Sequence, residues 1–127
     1  MSQPKLFTLN QAMKTLPLVE RIVADILKTG QAIRALSVEM DKPEEDPEIN
    51  RLMDQLDELF EEIETLGCYY KDWNFTVGLV DFPAKVHGKD VMLCWRSDED
   101  RIRFYHDSEA GYAGRRPIPK EVLEIKE

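Results

Sequence analysis

Two heptad-spaced stripes occupy the first half of the chain, after which the period drops from helical to two-residue alternation. Val19, Ile22, Ile26, Thr29, Ile33, Leu36 and Met40 recur at alternating steps of three and four, and so do Ile49, Leu52, Leu56, Leu59, Ile63 and Leu66. A helix with one apolar face is not stable in water until that face is covered. The two stripes, joined by the short polar stretch 42–45, therefore predict an antiparallel helical hairpin.

The boundaries follow from local chemistry. Thr8 and Gln11 have the spacing of a capping box, which predicts a short helix from Leu9 to about Thr15. Proline is tolerated in a first turn because its missing N–H has no partner there, so Pro17 is expected to open the first long helix, running to Met40. Asp46 before Pro47 reads as the N-cap of the second helix, and Gly67 as its left-handed C-cap. Gly30, inside the first stripe, reads as a close-approach point or a local soft spot.

Beyond Gly67 the pattern predicts strands over 68–71, 79–82, 85–86, 91–96 and 101–106, separated by Gly78, Pro83, His87–Gly88 and the acidic turn 97–100. The last two strands read as a hairpin with Arg96 opposite Arg101. That register sets Trp95 against Ile102, Leu93 against Phe104 and Val91 against His106 on a core face, with Met92–Tyr105 and Cys94–Arg103 on the other. The fold class is α+β: a long antiparallel helical hairpin with a small antiparallel sheet of three to five strands. A chain of 127 residues suits one domain, with the short helix and hairpin in 1–67 and the sheet and a C-terminal strap in 68–127.

A hydrophobic content of 43% and a charged content of 33% place the chain among ordinary soluble proteins. The absence of an apolar run of membrane-spanning length or of a secretory leader points to a cytoplasmic location with no membrane partner. Cys68 and Cys94, outside any CxxC, read as reduced, partly buried thiols. The net charge of −8 is uneven: residues 39–64 hold 12 acidic side chains against only Lys42 and Arg51. Such an arm repels nucleic acid at long range, so no nucleic-acid partner is expected.

Several strings together resemble a known family. GLVDFPA at 78–84, LCWR at 93–96, the aromatic–histidine pair Tyr105–His106 and GYAGRRPI at 111–118 look like domain of unknown function 2203, an uncharacterised prokaryotic family. The likeness extends to the N-terminal FTLNQAMKTLP and to the helix ending at Leu66 and Gly67. The family pattern places a glycine before the glutamate that follows LCWR and a tryptophan before the histidine, where this chain has Asp98 and Tyr105. The resemblance implies no activity, substrate or cofactor.

On chemistry alone Asp81, between Val80 and Phe82, needs a partner if buried. An ion pair with Arg115 or Arg96 is the structural reading, and Asp81 with His106 as an acid/base or metal-binding pair is the sharper one. Cys94 reads as a small buried hydrophobe rather than a nucleophile, and a zinc site would require Cys94, His106 and further ligands to converge from separate strands. Arg96, Tyr112, Arg115 and Arg116 are the candidates for holding an anion, through glycine-rich backbone and fork-shaped donors. The alternative for 111–118 is a strap across the sheet, with Arg115 clamping Asp81. No motif calls for a cofactor or a metal. The reading is a non-enzymatic homo-oligomeric or protein-interaction module, a dimer through its helices. The alternative is an enzyme or sensor for a small molecule or anion, with its site around the sheet and C-terminal loop.

Overall fold

The computed structural model describes residues 5–72 and 74–123. Two helices, α1 (Leu9–Ser37) and α2 (Pro47–Thr65), form the antiparallel hairpin, joined through a 3-10 turn at Pro43–Glu45. A five-stranded antiparallel sheet follows, with β1 (Tyr69–Tyr70), β2 (Leu79–Val86), β3 (Lys89–Arg96), β4 (Phe104–Asp107) and β5 (Arg116–Pro117) arranged in sequence order. A short helix α3 (Lys120–Leu123) ends the described chain. The α+β class read from the sequence is the class observed.

The helix starts are chemical. Thr8 Oγ1 accepts from the Gln11 amide and Gln11 Oε1 accepts from the Thr8 amide, both at 3.0 Å, which completes the capping box. Asp46 Oδ2 accepts from the Ile49 amide at 2.9 Å and caps α2. Gly67, at φ 93°, takes the left-handed conformation just past α2.

Pro17 does not open a helix. It lies inside a single 29-residue α1, so the expected short helix and first long helix are one element. The reason is the stripe passing through it: Ala12, Leu16, Val19 and Val23 are all buried. Each buried side chain of leucine or valine size contributes about 1.5–3 kcal/mol, enough together to offset the roughly 3 kcal/mol an interior proline costs. Pro17 itself is exposed, and it leaves the Met13 carbonyl without its usual helical donor. At the other end α1 stops at Ser37 rather than Met40, because its cover runs out: Leu36 and Val38 are already exposed.

Pro83 likewise fails to break a strand, and β2 runs through it. The Phe7 amide donates to the Pro83 carbonyl at 2.7 Å, and Phe7 bridges Ala84 in parallel. The N–H and C=O of one strand residue point to the same side, so the donor proline lacks belongs to that outer edge and not to the ladder with β3. The β2–β3 turn is a two-residue one, with His87 at φ 53° and Gly88 at φ 78°, the positive values a tight right-twisted hairpin demands.

The β3–β4 register differs from the expected one by a single residue. Val91 faces Asp107, Met92 faces His106, Leu93 faces Tyr105 and Cys94 faces Phe104. The acidic segment is no minimal turn: the Glu99 amide closes onto the Arg96 carbonyl at 2.9 Å, and Ile102 swings into the core before β4 begins. The consequence is large, since a slip of one exchanges the two faces of a strand. Val91, Leu93, Trp95 and Ile102 lie in the core, as expected, with Val80, Phe82, Val19, Val23 and Ile26, and Tyr105 takes the place expected of Phe104. His106 moves to the opposite face, beside Asp81 and Cys94.

Candidate functional site

The His87–Gly88 turn fixes the β2–β3 pairing so that Asp81 lies directly opposite Cys94. On the next strand His106, paired with Met92, projects from the same face and reaches across β3. Its Nε2 lies 3.2 Å from both Asp81 carboxylate oxygens, and its Nδ1 lies 2.8 Å from the Asp107 carbonyl. A carbonyl can only accept, so Nδ1 carries a proton and donates it. The Nε2–Asp81 hydrogen bond needs one proton, carried by either partner. Asp81 is 4% exposed, Cys94 2% and His106 2%, and their ligand-type atoms all lie within 4.8 Å of one another.

Burial sets the electrostatics. It pushes the Asp81 carboxyl above its ordinary value, against the opposing pull of His106. Burial, with Asp81 beside it, pushes the Cys94 thiol up to about 11, so at neutral pH the thiol is protonated and a poor nucleophile. The other thiol, Cys68, sits in the core and is raised to about 12 by burial.

Arg115 closes one side of this site. Its Nη2 donates to the Cys94 carbonyl at 3.1 Å and pairs with the Glu99 carboxylate, while its guanidinium lies 4.2 Å over the Phe104 ring. Glu99 also accepts from the Arg96 amide at 2.8 Å, so one carboxylate ties the β3 end to the strap. The expected pairing of Asp81 with Arg115 is therefore replaced by Asp81 with His106 and Arg115 with Glu99. The one-residue register shift produces this exchange by bringing the imidazole to the Asp81 face. Residues 116–117 add to the sheet as its edge strand β5, paired with β4, and Arg115 just before them reaches back to the end of β3.

The other anion-site candidates are also engaged. Arg96 Nη1 donates to the Tyr112 hydroxyl at 2.7 Å and its Nε to Asp98 at 2.6 Å; Arg116 pairs with Asp107 at 2.9 Å. Each of these guanidiniums already faces a carboxylate. Over the same sheet face runs an open groove of about 490 Å³ lined by Tyr69, Lys71, Pro83, Met92 and Ser108 among others.

Reading the residues one at a time did not set Cys94 beside Asp81. Its signal was present: counting back from a two-residue His87–Gly88 turn places residue 94 opposite residue 81. His106 could not be placed this way, because the turn between β3 and β4 is irregular.

No curated protein and no solved structure gives a significant match to this chain. The strings that carried the resemblance meet in the site: Asp81 from GLVDFPA, Cys94 from LCWR, His106 from the aromatic–histidine pair and Arg115 from GYAGRRPI. A family model described as "Uncharacterized conserved protein (DUF2203)" matches residues 5–118, and the chain belongs to that family, domain of unknown function 2203.

Proposed function

We propose that the chain is a non-enzymatic self-associating module whose helical hairpin docks against a second copy. The observation that carries this reading is a groove of about 670 Å³ between α1 and α2, with Leu18, Ile22 and Leu66 in its lining and Glu58, Glu61 and Glu62 along the α2 side. On α1, Lys14, Leu18, Arg21, Asp25 and Lys28 recur at steps of four and three and are all exposed, forming a stripe of net positive charge beside the groove. Among the described residues none of these charged side chains enters an ion pair. In an isologous contact a two-fold axis sets the cationic α1 stripe of each copy against the anionic α2 stripe of the other. Leu18 would be covered in the same step. The paired and buried polar groups of the sheet support the non-enzymatic part of the reading.

Sedimentation equilibrium tests this directly. A dimer is expected at tens of micromolar, weakening as salt rises. Replacing Lys14, Arg21 and Lys28 with glutamate should give a folded monomer, and adding lysines at Glu58, Glu61 and Glu62 should restore the dimer, since the complementarity is then inverted. A wild-type monomer would reject the reading. So would a dimer indifferent to both sets of changes.

A further inference from the structure

We propose that Asp81, Cys94 and His106 bind one divalent transition-metal ion of the zinc class, clipping β2, β3 and β4 together on the sheet face opposite the helices. Three ligand types, one from each of three adjacent strands, converge with donor atoms within 4.8 Å of one another, and all three residues are at least nine-tenths buried. The approach of His106 Nε2 to Asp81 at 3.2 Å matches the edge of a tetrahedron, about 3.3 Å, built from metal–ligand bonds of about 2.0–2.1 Å. Cys94 Sγ lies within 4.8 Å of both, and binding would draw it to the longer thiolate–metal distance of about 2.3 Å.

The surroundings are arranged for such an ion. The Nδ1–H of His106 donates to the Asp107 carbonyl at 2.8 Å, which fixes the ring and turns Nε2 toward the cluster, the usual second partner of a metal-bound histidine. A thiolate, a carboxylate and a neutral imidazole balance a double positive charge, so the loaded site is neutral where it is buried. Binding displaces the thiol proton and the one in the Nε2–Asp81 hydrogen bond, and both leave to solvent. The mixed sulfur, nitrogen and oxygen set suits zinc, cobalt or iron rather than calcium or magnesium, which take six or more oxygens or near-ideal octahedral oxygen shells. Two cations lie nearby: Arg115 is neutralised by Glu99, and Lys71 acts on Asp81 from the groove. Tyr69, the cross-strand partner of Asp81, and Met92, that of His106, separate the buried cluster from that groove, and a water would be the fourth ligand.

The test is titration of the reduced, chelator-stripped full chain with Co²⁺ under anaerobic conditions. The expected result is a thiolate-to-cobalt charge-transfer band that saturates at one equivalent and is displaced by Zn²⁺. Cys94→Ser should abolish the band, whereas Cys68→Ala should keep it, and His106→Gln should weaken binding at least tenfold. Folding of each variant is checked by circular dichroism. Should Cys94→Ser unfold, X-ray absorption of the zinc-loaded wild type decides, with one sulfur among nitrogen and oxygen neighbours expected. Absence of the cobalt band from folded wild type, its survival in folded Cys94→Ser, or a zinc shell without sulfur would overturn the site.

Discussion

Trp95 is 2% exposed, and its indole Nε1 donates to the Glu99 carbonyl at 3.0 Å, so one side chain fills the core and anchors the turn that follows β3. Truncation to alanine should cost about 3–5 kcal/mol, read as a fall in the urea midpoint. The arginine-bonded Asp98 and the lysine-bonded Asp107 have carboxyls held below their ordinary value of 3.8. Stability from such groups is full above that value and is lost as pH falls through the lower folded one. Burial moves Asp81 the opposite way, so what it contributes by holding a proton fades as pH rises through its elevated value. Urea midpoints should therefore fall between pH 4 and pH 2, and Asp107→Asn should flatten that limb. Asp81's need for a partner was legible from its apolar neighbours; the identity of the partner was not, because Arg115 and His106 lie on segments whose placement depends on pairing across the sheet.

The elements divide by how local their determinants are. The capping box at Thr8, the Asp46 cap and the Gly67 stop involve residues a few positions apart, and the sequence displays them whole. Pro17 and Pro83 misled because each breaks a rule that applies to an isolated segment, while a buried stripe or the N-terminal segment at an outer edge supplies what the proline lacks. The β3–β4 register was unreadable because residues 97–103 form an irregular connection instead of the four-residue turn 97–100. Gly30 shows the same dependence on a distant partner: a Cβ there would sit 2.3 Å from the Phe75 ring, which makes it a close-approach point. Gly30→Ala should therefore destabilise by about 1–3 kcal/mol despite alanine's better helix propensity. In a Phe75→Ala background the substitution should become neutral or favourable, and paired urea titrations measure the reversal.

At the scale of the whole molecule, the outer edge of β2 is shared between β1 and Phe7. β1 pairs with Val80 and Asp81 of β2, the Lys71 amide donates to the Leu79 carbonyl, and toward the other end the edge is taken by Phe7, which donates to Pro83, bridges Ala84 and packs edge-on against Phe82 at 5.3 Å. No helix among the described residues is long and apolar enough to cross a membrane. An open strand edge is a template for any other chain with free backbone groups, and here Pro83 withholds a donor while Lys85 adds a charge along the same stretch. Phe7 occupies part of that edge, which leaves fewer free backbone groups for another chain to pair with. Deleting residues 1–7 should leave the hairpin helical by circular dichroism yet yield sedimenting, thioflavin-positive material that grows past any dimer and does not dissolve in salt. Soluble material of unchanged size would show that proline and lysine alone hold that edge apart from its own kind.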